Sequence, residues 1–78
     1  MARLPVVSGK ELILALGKAG FETVHQDGSH VSLKAVIKHR MRRTVVPLHK
    51  ELAKGTLSDI LRQTGLTKQE LIQLLGRK

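Results

Sequence analysis

The sequence predicts an α+β fold: a helix, three antiparallel strands, a second helix and a short third one, with the helices on one face of the sheet. Three observations carry this. A capping box opens an amphipathic stretch near the start. Strict alternation follows an Asp-Gly pair in the middle. Two further helical stretches follow Pro47, each introduced by a threonine.

The elements follow in order. Pro5 and the residues before it form an extended lead-in. Ser8-Gly9-Lys10-Glu11 is a capping box, with Ser8 at the N-cap and Glu11 at N3, and the helix runs to about Ala19. Leu12, Ile13, Leu16 and Ala19 form its apolar stripe, and Gly20 stands where a left-handed residue ends a helix. Gly17, costly inside a helix, suggests close packing against a neighbour.

Phe21 to Gln26 reads as the first strand and Asp27-Gly28 as a tight turn, since a type I′ turn needs φ > 0 at both central residues. The second strand spans Ser29 to Ile37. Val31, Leu33, Ala35 and Ile37 point one way, into a core; His30, Ser32, Lys34, Val36 and Lys38 point the other. Lys38-His39-Arg40-Met41 contains no Gly or Asn and predicts a longer, looser loop. Arg42 to Val46 is the third strand, ended by Pro47. Leu48 to Gly55 is irregular. A second helix is expected with Thr56 as N-cap, Asp59 in its first turn, and Leu57, Ile60 and Leu61 as its core stripe. Gly65 stops it. Thr67-Lys68-Gln69-Glu70 is another capping box, opening a short helix with Leu71, Ile72, Leu74 and Leu75 inward and Gly76 at its end.

Composition narrows the function. The 78 residues are expected to form one domain, 1–78, with a small core. There is no cysteine, hence no disulfide, thiolate metal site or nucleophilic thiol, which fits a reducing cytoplasm. The longest apolar run, Leu12 to Leu16, is far too short to span a bilayer, and the start lacks the apolar segment of a secretory signal. Fourteen Lys and Arg against six acids give a net charge of +8. A small protein so basic expects a polyanion. Phe21 is the only aromatic residue, which argues against base stacking on exposed rings and against an interfacial membrane helix.

Half of the cations, seven, lie between Lys34 and Lys54, with Glu51 the only acid among them. Such a cluster binds phosphates with steep salt dependence. Ser29, Lys34, Lys38, Arg40, Arg42 and Arg43 are the candidate RNA-binding residues, and His30 is the candidate catalytic one. An imidazole exchanges protons near neutral pH, so it can deprotonate a ribose 2′-OH, which then attacks the adjacent phosphorus. Lys34, Arg42 or Arg43 would stabilise the charge that develops. Ser29 is no partner for His30 in nucleophilic catalysis, because neighbouring strand residues face opposite ways. No metal ligand spacing, phosphate-cradling glycine loop or second acid–base group stands out, and no metal or cofactor is expected. Which face of the third strand lies beside His30 is left open. The segment from Thr56 to Leu75 also has the look of a helix-turn-helix, with Lys68, Gln69 and Gln73 as base readers, but four of the nine residues from Thr67 are large aliphatics suited to a core. A non-catalytic RNA-binding module and a module that binds only an acidic protein are further alternatives.

Ser8-Gly9-Lys10-Glu11, Gly20-Phe21, Gly28-Ser29-His30, Val46-Pro47-Leu48-His49 and Lys54-Gly55-Thr56-Leu57 with Ile60-Leu61-Arg62 together resemble the HicA (YcfA-like) toxins of HicAB toxin–antitoxin systems, over nearly the whole chain. The resemblance implies a fold similar to a double-stranded-RNA-binding domain and metal-independent cleavage of mRNA. It implies His30 as the catalytic histidine, and a HicB antitoxin as the partner that covers the active face.

Overall fold

The computed structural model describes residues 3–77; Met1 and Ala2, the start of the expected lead-in, lie outside them, as does Lys78. The order is α1 (Gly9–Lys18), β1 (Glu22–Asp27), β2 (His30–Ile37), β3 (Arg40–Pro47), α2 (Lys54–Thr64) and α3 (Lys68–Leu74). The strands form one antiparallel sheet in the order β1-β2-β3. This is the α+β architecture expected.

Both capping boxes form. Ser8 Oγ accepts from the Glu11 N–H while Glu11 Oε1 accepts from the Ser8 N–H, and Thr67 and Glu70 repeat the exchange. The Ser8 backbone bond comes first among the causes that hold the Glu11 carboxyl below its ordinary value of 4.5; the charge of Arg77, 2.9 Å away, adds to it. The folded-state value is thus the lower one. This stabilisation is complete above the unfolded-state value and is lost as the pH falls through the folded-state value.

Leu12, Ala15 and Leu16 of α1, Val31, Leu33 and Ala35 of β2, Val46 of β3, Leu57, Ile60 and Leu61 of α2 and Leu71 of α3 are buried together around Phe21. The alternation of β2 is therefore realised as read. In α1 the buried stripe turns toward Ala15, leaving Ile13 and Ala19 only partly covered.

Four local expectations are corrected. Gly17 is exposed, and a Cβ there would meet nothing within 4 Å outside its own helix; Gly9 is the glycine at a close approach, where a Cβ would collide with the Pro47 carbonyl oxygen. The first turn lies one residue further on: Asp27 pairs with His30, so Gly28 and Ser29 are its centre. Only Gly28 has positive φ, at 60°, a type II′ pattern rather than I′. Lys38-His39 is no loose loop. Ile37 pairs with Arg40 across a two-residue turn, with φ of 52° and 67° at Lys38 and His39. Sheet pairing on both sides imposes the primed turn on residues that lack glycine's freedom. Finally, α2 starts at Lys54 with Ala53 as an N-cap that makes no side-chain bond, so Thr56 is inside the helix and Asp59 outside its first turn.

Two stability predictions follow from the backbone. Gly9→Ala should cost about 2–3 kcal/mol, because only backbone can move aside; a thermal melt should show a midpoint lower by roughly 10–20 °C, and an unchanged midpoint would show that the approach yields freely. Lys38→Asn with His39→Gly should raise stability by about 1–2 kcal/mol, read by urea unfolding, since both positions then accept φ > 0 without strain.

Candidate functional site

Directly opposed residues of an antiparallel sheet share a face. His30 stands between Asp27 on β1 and Pro47 on β3, Ser32 between His25 and Val45, and Lys34 between Glu22 and Arg43. The side facing away from the core thus collects His30, Ser32, Lys34, Arg43, His25, Asp27 and Glu22. The question left open by the sequence is settled: Arg43 and Val45 share the face of His30, whereas Arg42, Thr44 and Val46 lie on the covered side.

His30 is exposed at the first position of β2. Its setting is fixed by a side-chain bond on one side and a backbone bond on the other. The Gly28-Ser29 turn is steadied by Gln26 Nε2, which donates to the Gly28 carbonyl at 3.1 Å. The Ser29 carbonyl in turn accepts from the Leu48 N–H at 2.7 Å. Ser29 itself is an exposed turn residue, so its side chain is free to meet a ligand beside His30.

The remaining candidates are dispersed. Arg42 is half-buried, and its guanidinium lies 3.3–3.5 Å from where a Gly65 side chain would begin, at the C-terminus of α2. A cation there complements the negative end of the helix dipole. Lys38 sits at the tip of the second hairpin, near enough to Glu70 for its charge to help hold that carboxyl below its ordinary value, after the stronger bonds from Thr67. Arg40 is exposed at the opposite end of β3 from Pro47. The cation cluster of the sequence is thus divided between the open face and the helix side.

The sequence reading missed His25 and Asp27. A bulge in β1 between Thr23 and His25 shifts the register, and no alternation rule from the sequence locates it. Asp27 was read as a turn residue, which hid its pairing with His30. The signal that remained was the one-residue ambiguity of an Asp-Gly-Ser turn, which decides whether Asp27 belongs to a strand.

The open face also carries exposed apolar side chains: Val24, Val36, Met41 and Val45. Where α2 packs on the sheet, a groove of about 590 Å³ is lined by Leu33 and Thr44 on the sheet side and by Thr56, Asp59, Ile60 and Gln63 on the helix side. Among the described residues no group of three or more His, Cys, Asp or Glu side chains is placed to hold a metal ion, and no helix is long and apolar enough to cross a membrane. α3, the candidate DNA reader, buries Leu71 completely and Ile72, Leu74 and Leu75 in part.

Residues 9–66, from the first residue of α1 to the loop after α2, match the family described as HicA toxin of bacterial toxin-antitoxin. The chain belongs to this family. As a HicA toxin it is the toxic half of a pair and has an antitoxin as its counterpart. The matched span includes every residue of the open face named above and stops before α3. No curated protein matches the chain closely enough to stand as a relative.

Proposed function

We propose that this HicA toxin is a metal-independent endoribonuclease that cleaves mRNA on the open face of its sheet. The observation that carries the reading is the cross-strand register, which groups two imidazoles, two carboxylates and two cations on one exposed surface. His30 takes the proton from a ribose 2′-OH. The 2′-oxygen bonds to phosphorus as the bond from phosphorus to the 5′-oxygen breaks. His25, diagonal to His30 at about 7–8 Å between backbones, protonates the leaving 5′-oxygen. The products are a 2′,3′-cyclic phosphate and a 5′-hydroxyl.

Asp27, opposite His30, orients the ring and stabilises the imidazolium formed by the first proton transfer, as a carboxylate does for a catalytic histidine elsewhere. Lys34 and Arg43, directly opposed to each other, hold the phosphate and offset the charge of its transition state. Ser29, next to His30 in the first turn, and Lys38 and Arg40, at the second turn, extend RNA contact away from the cleavage point. Arg42 contributes mainly by fixing β3 against α2.

A HicB-type antitoxin covers the same face. Val24, Val36, Met41 and Val45 offer it apolar contact, and the net charge of +8 favours an acidic partner. An mRNA substrate places the action in the cytoplasm.

Mixed-sequence RNA incubated with the purified protein in excess EDTA should be cut. His30→Ala should keep its fold by circular dichroism and lose about 10²–10⁴-fold in rate. His25→Ala should be slowed and lose one limb of the pH–rate profile. Equal cleavage by wild type and His30→Ala would overturn the assignment of His30; intact RNA with tight binding would leave a non-catalytic module. In salt titrations of RNA affinity, Arg43→Ala should flatten the slope by about one counterion, and Arg42→Ala should leave it nearly unchanged while lowering the melting midpoint.

A further inference from the structure

On the helix side of the molecule α1 and α3 pack together. Glu11, Leu14, Ala15 and Lys18 of α1, with Leu74 and Leu75 at the end of α3, line a cleft of about 140 Å³ between them. A cavity of about 150 Å³ holds a benzene ring, so this cleft has room for one large apolar side chain. Leu14 stands at its rim, 71% exposed. Val6, 65% exposed, is held nearby by Arg77, which donates both to the Val6 carbonyl and to the Glu11 carboxylate.

Charge frames this apolar centre. Lys10 and Lys18 stand four residues before and after Leu14, so the three share one stripe of α1, with the two lysines about 12 Å apart along the axis. Glu11 is the acid at the rim, and Arg77 pairs with it at 2.9 Å. The surround is therefore positive on balance. Lys18 gives one N–H to the Leu74 carbonyl at 3.1 Å and keeps two for a carboxylate.

We infer that this cleft is a second docking site for the antitoxin, taking an acidic amphipathic helix. One apolar side chain of that helix enters beside Leu14, and its carboxylates meet Lys10 and Lys18. The inference rests on the toxin–antitoxin pairing and not on the ribonuclease. Other occupants fit less well. A second copy docked about a two-fold axis through Leu14 would bring lysine against lysine. A membrane surface calls for exposed Trp or Phe beside the cations, and the one aromatic residue of the chain, Phe21, is buried. RNA phosphates gain nothing from the apolar centre.

No dimension of the molecule exceeds 32 Å, so about ten extended residues carry an antitoxin segment from the open face to the cleft. Two contacts on one partner strengthen each other through effective concentration. One wall of the cleft is α3, beyond the residues that match the family, so contact here makes pairing selective for the antitoxin of this toxin.

The test measures the affinity of the full chain for the antitoxin encoded with it, by isothermal titration calorimetry. Leu14→Gln keeps a good helix former at an exposed position and should weaken binding by about tenfold or more. Lys10→Glu should weaken it by about threefold to tenfold, mainly through slower association at low salt. RNA affinity by fluorescence anisotropy should stay within about twofold in Leu14→Gln, which shows that the variant is folded and that the phosphate-binding charge is intact. Antitoxin affinity unchanged by both substitutions would overturn the inference and leave the pairing standing. No binding by the unsubstituted chain would overturn the pairing and the inference together. Binding to phosphatidylglycerol vesicles that Leu14→Gln abolishes would overturn it by assigning the cleft to a lipid surface. A dimer that Leu14→Gln dissolves in analytical ultracentrifugation would overturn it in favour of a second copy.

Discussion

Position 9 has no room for a side chain, because the first turn of α1 rests on the last residue of β3. Three backbone bonds keep it there. The Gly9 N–H donates to the His49 carbonyl at 2.9 Å, the Leu52 N–H to the Val7 carbonyl at 2.9 Å, and the Leu48 N–H to the Ser29 carbonyl at 2.7 Å. The segment after Pro47 is thereby fastened to α1 on one side and to the first hairpin on the other. Buried backbone groups need such partners, so irregular chain can pack this closely without unsatisfied donors. His30, paired with Pro47, takes its position from that junction. Core packing and the candidate site thus depend on the same contact.

The sheet divides the chemistry of the chain. The covered face holds the apolar half of β2 and Val46 of β3, together with Thr44, whose hydroxyl is satisfied by Gln63. The open face holds groups that water would otherwise solvate, and burial of an unpaired charge is too costly to place them elsewhere. Three cations off the open face have local partners on the other side: Arg42 at the end of α2, Lys38 near Glu70, and Lys18, which donates to the Leu74 carbonyl at 3.1 Å. Arg77 likewise binds Glu11 and the Val6 carbonyl, which ties the end of the described chain to the N-terminus of α1.

Signals read correctly from the sequence were those in which one residue type answers a local demand. Ser8 with Glu11, and Thr67 with Glu70, satisfy helix-end amides whatever the rest of the chain does, and both boxes form. The alternation of β2 placed His30 opposite to Val31, Leu33 and Ala35. What escaped depended on partners distant in sequence. Gly9 and Gly17 look equivalent until Pro47 is brought beside one of them. Lys38 and His39 adopt a glycine conformation because two paired strands leave only two residues between them. The neighbours of His30 required the register of β1, which a bulge offsets. A cluster of cations along the chain is not a cluster in space, as Arg42 and Arg43 show by pointing to opposite faces.

The most direct measurement is mass spectrometry of the RNA ends left by the purified protein in the presence of EDTA. Paired imidazoles acting on a 2′-hydroxyl leave a 2′,3′-cyclic phosphate on one fragment and a 5′-hydroxyl on the other. Fragments carrying a 5′-phosphate and a 3′-hydroxyl would contradict the account, because water rather than the ribose oxygen would then have attacked phosphorus.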